Sequence, residues 1–149
     1  MIRARIIAAS LAAATLIAAP VLAQGGPIEQ RKAMMKSNGG DTKAGADMLK
    51  GVTPYDAAKA KAIFTNMHDV ASKFGGLFPA NSKTGGKTEA APAIWEKPAE
   101  FKAAVAKFEA DTGAAMAADL STKEAFGAQF GKVTANCRSC HESFRVKLD

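Results

Sequence analysis

The sequence is poor in several residue types that define common protein classes. Its 149 residues include two cysteines, two histidines, one tryptophan and one tyrosine. No segment alternates apolar and polar residues over the length of a strand, which excludes a fold built on sheets. The basic residues are scattered, and few aromatic residues lie between them, which argues against a nucleic-acid surface. The apolar residues recur instead at helical spacing, so we predict an all-α protein.

The N-terminus has the features of an export signal. Two arginines precede an apolar stretch over residues 6–19, and Val21 and Ala23 occupy the small-residue positions of a cleavage site. The apolar stretch is shorter than the roughly 18 to 20 residues that a membrane-spanning helix needs. We therefore predict that residues 1–23 are a cleaved signal peptide. Residues 24–149 should then form one periplasmic domain with no membrane span.

Start and stop signals divide the mature chain into four helices. Thr53 is a good N-cap followed by proline in the first turn, and Ser121 begins a capping box with Glu124. The predicted helices cover residues 28–50, 53–74, 98 onwards and 121–147, with one long ordered connection over residues 75–97. Four amphipathic helices of this length favour an antiparallel four-helix bundle.

The segment Cys137-Arg138-Ser139-Cys140-His141 has the Cys-X-X-Cys-His pattern of covalent haem attachment. Cys-X-X-Cys alone also occurs as a disulfide, a thioredoxin-type redox pair or half of a zinc site. The redox pair belongs to a βαβ pattern, which is absent, and a zinc site would need more ligands than His68 can add. We therefore predict one haem c. Cys137 and Cys140 would form its thioethers, and His141 would be the proximal ligand of its iron.

The haem motif shares a helix face with a row of apolar residues. Spacings of three and four place the cysteines and His141 on one stripe with several core residues. These residues are Phe126, Phe130, Val133 and Phe144. The haem should therefore lie inside the bundle, near the C-terminal helix.

Several segments of the mature chain, together with the late position of the haem motif, resemble one family. These segments are Gln30-Arg31-Lys32-Ala33, Met48-Leu49-Lys50-Gly51, Pro54-Tyr55-Asp56, Leu77-Phe78-Pro79, Pro92-Ala93-Ile94-Trp95-Glu96 and Cys137 through Arg145. They are similar to the class II c-type cytochromes, which comprise cytochrome c′ and its low-spin, methionine-ligated relatives. The resemblance implies a four-helix bundle and agrees with the fold predicted from periodicity.

The resemblance also implies which residues surround the iron. In this family the distal residue comes from the first helix, one turn after Arg31, and here it is Met35. Low-spin members bind the iron through a methionine at this place, whereas high-spin members carry a non-ligating apolar side chain and leave the iron open to small gases. We predict that Met35 is the distal ligand, since a thioether is a good axial ligand for haem iron. Met34 lies about 100° around the helix from Met35, so we expect it to pack against another helix or to face outward.

Two arginines and a histidine complete the candidate residues. The resemblance implies that Arg145 lies beside the proximal histidine and the haem, although a solvated cation at the helix end is equally compatible with the sequence. Arg31 is placed to pair with a haem propionate. His68 has polar sequence neighbours, and we predict that it is a surface residue.

These residues predict a periplasmic cytochrome that carries single electrons, with His141 and Met35 as axial ligands, rather than an enzyme. The alternative is a high-spin cytochrome c′ that binds NO or CO in gas sensing or in protection against nitrosative stress. A peroxidase is disfavoured because no distal histidine or Arg-His pair is present to cleave a peroxide. We expect redox partner proteins in the periplasm, and both a monomer and a homodimer are compatible with the sequence.

Overall fold

The computed structural model describes residues 25–148, which form four long helices and one short one. The helices are α1 Pro27–Leu49, α2 Ala57–Phe74, α3 Ala93–Glu96, α4 Pro98–Ala117 and α5 Lys123–Phe144. The predicted all-α four-helix bundle is confirmed, and the described residues contain no β-strand beyond one isolated bridge between Ala90 and Arg145. The predicted signal peptide, residues 1–23, lies outside the described residues.

Neighbouring long helices run antiparallel. In the α4–α5 pair, the ring of Phe101 lies 5.3 Å from the ring of Phe144, and Asp111 accepts a hydrogen bond of 2.7 Å from Asn136. Residue numbers therefore rise along one helix as they fall along the other. The pairs α1–α2, α2–α4 and α1–α5 are related in the same way, so the bundle has an up-down-up-down topology.

Helices α1 and α5 approach closely at one end of the bundle only. A Cβ atom added at Gly45 would lie 2.3 Å from Cε2 of Phe130, and one added at Gly127 would lie 3.2 Å from Cδ2 of Leu49. A side chain at residue 45 would therefore force either the Phe130 ring or the two helices to shift. Toward the other end of the bundle, α1 and α5 line a cavity instead of touching.

The buried side chains form two groups, and this contact belongs to the first. The first group includes Met48, Ile63, Phe64, Met67, Phe126, Phe130 and Val133. The second group contains Ile94, Phe101 and Phe144, with Phe74, Phe78 and Trp95 packed against it. Rings in the second group meet edge to face, as aromatic pairs prefer. This aromatic group forms one side of the cavity.

Two predicted helix N-termini were wrong by a few residues. Helix α2 begins at Ala57 because the carboxylate of Asp56, rather than Thr53, accepts a hydrogen bond from the backbone amide three residues on, at 3.0 Å. In α5 the capping side chain is Thr122, whose Oγ1 accepts a hydrogen bond of 3.2 Å from the backbone amide of Ala125. Ser121 lies outside the helix. Adjacent residues with similar capping ability compete, and tertiary contacts decide between them.

The predicted end of α5 at Lys147 was also wrong, because the helix stops at Phe144. Beyond it the chain is extended and pairs with the connection that precedes α3. The amide of Ala91 donates to the carbonyl of Phe144 at 3.0 Å, and the amide of Val146 donates to the carbonyl of Glu89 at 2.9 Å. These bonds satisfy backbone groups that the helix leaves free at its end.

The prediction that His68 is a surface residue was wrong. Its ring is half-buried between α2 and α4, where Nδ1 lies 3.2 Å from both the carbonyl oxygen of Glu109 and Oγ1 of Thr112. The polar sequence neighbours of His68 lie on other sides of α2, so they gave no information about its own surroundings. His68 does not line the cavity.

Candidate haem site

A cavity of about 670 Å³ lies between α1, α4, α5 and the connection over residues 75–92. Its volume is within the usual range for small-molecule and cofactor sites. Most of its wall is apolar, including Ile28, Phe74, Phe78, Ile94, Phe101, Val105, Phe108 and Phe144. Apolar walls disfavour water and favour a hydrophobic ligand.

Helix α5 directs the whole haem motif toward this cavity. Cys137, Cys140 and His141 all line it, because spacings of three and four keep side chains on one helix face. The two thiols are free and half-buried, and burial raises the pKa of both. Burial, and then the nearby Arg145 cation, lower the pKa of His141. The neutral imidazole, which is the form that binds metals, is therefore favoured.

Met35 lines the same cavity from α1, whereas its neighbour Met34 does not. Residues 35 and 34 differ by about 100° around the helix, so only one of the two can face the cavity squarely. The structure thus brings Met35 from α1 and Cys137, Cys140 and His141 from α5 to one site. Binding of iron by Met35 stays a prediction.

Arg31 lines the cavity, but its guanidinium is engaged by the protein. It is 4% exposed, and its two terminal nitrogens donate to the carbonyls of Leu77 and Ser82 and to the hydroxyls of Ser82 and Thr88, at 2.9–3.1 Å. Its Cζ also lies 4.5 Å from the ring centroid of Phe78. Arg31 therefore ties α1 to the connection that walls the cavity, and its pairing with a propionate stays a prediction.

Arg145 lies at the rim of the cavity, on extended backbone after the end of α5. It therefore lies just outside α5, which ends one residue earlier. Its Nε donates to Oε2 of Glu89 at 2.7 Å, in an ion pair whose side chains are 42% and 39% exposed. This hydrogen bond from Arg145 lowers the pKa of Glu89. The proximity of Arg145 to the haem stays a prediction.

Two asparagines that were not among the predicted site residues, Asn38 and Asn136, also line the cavity. Asn38 follows Met35 by three residues, so helical spacing could have placed it at the site. Asn136 precedes the first cysteine of the motif, and its amide bonds to Asp111. No sequence signal pointed to Lys87, Thr88 and Glu89, which reach the cavity from the connection.

The cavity and its ligating side chains fit a covalently attached haem. Two thiols for the thioethers and an imidazole stand on one apolar wall, and the cavity has the volume of a cofactor site. A four-helix bundle with a Cys-X-X-Cys-His motif facing such a cavity defines the class of the protein, a bundle-type c-type cytochrome.

Comparison with known proteins identifies the family. The family model for Cytochrome C′ matches residues 26–145. The chain is 42% identical over 126 residues to cytochrome c′ of Rhodopseudomonas palustris, covering 85% of this chain and 86% of that protein. It is also 42% identical over 123 residues to cytochrome c-556 of Agrobacterium fabrum, covering 82% of each. A solved structure of cytochrome c′ from Rhodopseudomonas palustris is 41% identical with a TM-score of 0.79, covering 85% of this chain and 100% of that one. The chain therefore belongs to the cytochrome c′ family.

Membership defines the cofactor and the broad role of the protein. Proteins of this family carry one covalently attached haem c with its iron, act as electron carriers or gas binders, and are periplasmic. Within residues 25–148, no helix combines the length and apolar character needed to cross a membrane.

Proposed function

We propose that this chain is a periplasmic electron carrier exported by the signal peptide 1–23. Cys137 and Cys140 attach the haem, and His141 and Met35 bind its iron from opposite sides. When bound, the haem supplies a one-electron couple between ferric and ferrous iron. The protein's part is to hold the ligands and keep the surroundings apolar.

The observation that carries this proposal is the position of Met35. Its side chain lines the wall formed by α1, and the haem motif lines the wall formed by α5, around one cavity. A thioether binds haem iron and raises its reduction potential. With both axial positions filled by the protein, a change of oxidation state needs no exchange of ligand.

The lowered pKa of His141 supports the same assignment. Desolvation, and then the nearby Arg145 cation, lower the pKa of its imidazole, which favours the neutral ring that binds iron. Cys140 packs against the aromatic group of Ile94, Phe101 and Phe144, which positions one attachment point.

The test is the optical spectrum of the purified ferric and ferrous protein beside those of Met35→Ala and Met34→Ala. Met34 is the matched control, because it is also half-buried on α1 but does not line the cavity. We expect a low-spin spectrum with a weak near-infrared band from sulfur to iron, lost in Met35→Ala and kept in Met34→Ala. Addition of CO should alter the spectrum little unless Met35 is replaced.

Gas binding is the second candidate function, and the side chain of Met35 favours it in one respect. Met35 is only half-buried, and a flexible, unbranched thioether can swing away from the cavity. Relatives named cytochrome c′ and cytochrome c-556 are equally similar to this chain. A high-spin spectrum in the unmodified protein, with ready CO binding, would reject Met35 ligation and establish this second function.

Electrons must reach and leave the haem through other periplasmic proteins, and a second copy of this chain is a further partner. Homologous cytochromes c′ are often dimeric. Sedimentation of the haem-loaded protein measures its oligomeric state directly.

A further inference from the structure

Two side-chain oxygens on α1 are buried and accept no hydrogen bond from the described residues. They are Oδ1 of Asn38 and Oδ2 of Asp41. Asn38 is 8% exposed and lines the haem cavity. Burial also raises the pKa of Asp41. Buried polar atoms in native proteins nearly always have a partner, so each of these oxygens points to a donor outside the described residues.

The two side chains are neighbours on the helix, because their residues lie three apart. Residues three apart on an α-helix have Cβ atoms about 5–6 Å apart, so one small molecule can contact both side chains. Two protein donors on α1 and α2 bond to other atoms of these residues. The hydroxyl of Thr42 donates to the backbone carbonyl of Asn38 at 2.8 Å, and Nδ2 of Asn66 faces the other oxygen of Asp41, Oδ1, at 3.5 Å.

The haem does not supply the missing donors. Its polar groups at neutral pH are propionate carboxylates, which accept hydrogen bonds, and the faces of its ring carry no donor. A molecule with two donor hydrogens can satisfy both acceptors at once. A water molecule is the smallest such molecule, and buried waters usually bind otherwise unsatisfied polar groups.

We propose that Asn38 and Asp41 bind one water-sized donor molecule on the α1 side of the haem cavity. Water donates one hydrogen to Oδ1 of Asn38 and the other to Oδ2 of Asp41. Its oxygen lone pairs are left facing away from α1. The distal wall beside Met35 is therefore polar at one point, whereas the rest of the cavity wall is largely apolar. This site does not depend on whether Met35 binds the iron.

The test combines high-resolution crystal structures of the haem-loaded protein with thermal unfolding of three variants. In the unmodified protein we expect ordered density within hydrogen-bonding distance of both oxygens. Asn38→Leu and Asp41→Leu each remove one acceptor, so we expect both to lose this density. We expect Asn38→Leu to lower the Tm, because Oδ2 of Asp41 then stays buried without a donor.

Asn136→Leu is the matched control, because Asn136 also lines the cavity but its amide bonds to Asp111 at 2.7 Å. It should lower the Tm and leave the density at Asn38 in place. The proposal is overturned if the unmodified protein shows no molecule there. It is also overturned if Asp41 contacts Asn38 directly, or if the Asn38 amide is rotated so that its nitrogen donates to a propionate. A raised Tm in Asn38→Leu would show that the amide has no partner.

Failure of this site and failure of Met35 ligation are distinguishable. The water site is read from density and unfolding, and Met35 ligation is read from the optical spectrum. If Asn38→Leu does not fold, Asp41→Leu and the structure of the unmodified protein still decide the question.

Discussion

Replacement of Gly45 by alanine tests the close contact of α1 with α5. An added Cβ would meet three ring atoms of Phe130, Cε2 at 2.3 Å, Cζ at 2.8 Å and Cδ2 at 3.0 Å. The Phe130 ring is 7% exposed and belongs to the buried core, so it cannot move aside freely. Either the ring leaves its preferred position or the helices separate.

The magnitude follows from two opposed effects. Overpacking of a core costs about 1–3 kcal/mol, whereas alanine favours a helix interior over glycine by about 1 kcal/mol. We expect Gly45→Ala to reduce the free energy of unfolding by up to about 2 kcal/mol. Gly40→Ala is the matched control, because a Cβ there meets no atom within 4 Å. This variant gains only the higher helix propensity of alanine, which should stabilise the protein by about 1 kcal/mol.

The assay is guanidinium chloride unfolding of the haem-loaded variants, followed by circular dichroism. Both changes gain the same helix propensity. The difference between their free energies of unfolding therefore isolates the steric cost, about 1–3 kcal/mol. Phe130→Leu in the Gly45→Ala background should recover part of the loss. If Gly45→Ala and Gly40→Ala stabilise the protein equally, the close approach of α1 and α5 is refuted.

Three further changes test contacts around the bundle. Arg31→Gln should lower the free energy of unfolding by about 2–3 kcal/mol and expose the connection to limited proteolysis, because charged hydrogen bonds to the chain are lost; Lys32→Gln, an exposed control, should cost less than about 1 kcal/mol. Hydrogen bonds from Asn136 and then a lysine lower the pKa of Asp111, so its stabilisation is full above its unfolded-state pKa and is lost as the pH falls through the folded-state value. The urea midpoint of Asp111→Asn should therefore converge with that of the unmodified protein below about pH 4, and parallel curves throughout would contradict this. Tyr55→Phe removes a hydrogen bond to the carbonyl of residue 120 and should cost about 1 kcal/mol with an unchanged denaturant slope; no change in midpoint would show that this bond contributes nothing.

Periodicity predicted the helices well where apolar residues recur on one face. Ile63, Met67 and Val70 are buried in α2 as their spacing indicates, and α4 begins at Pro98 as predicted. Local signals were less reliable at the helix ends, where Asp56 and Thr122 replaced the predicted caps. Several residues near a helix end can cap it, and their choice depends on how the neighbouring chain packs.

Local spacing placed the candidate site on one helix face but could not assemble its other walls. The haem motif is contiguous, so its ligand types and their shared orientation follow from the sequence itself. Met35 was assigned by family resemblance, and the bundle places it on the cavity. The hydrogen bonds of Arg31 to residues 77, 82 and 88 join segments about fifty residues apart, and no local pattern encodes such a contact.

The sequence by itself determined the helical fold class, the covalent haem motif and the face of α5 on which the motif lies. These properties depend on residue type and on spacings of three and four, which act within one helix. Only the tertiary structure decided that α5 ends at Phe144, that Gly45 admits the ring of Phe130, and that Asn38 reaches the cavity with an oxygen that no described residue bonds. These properties depend on the separation of helices far apart in the chain, which is set when the whole core packs.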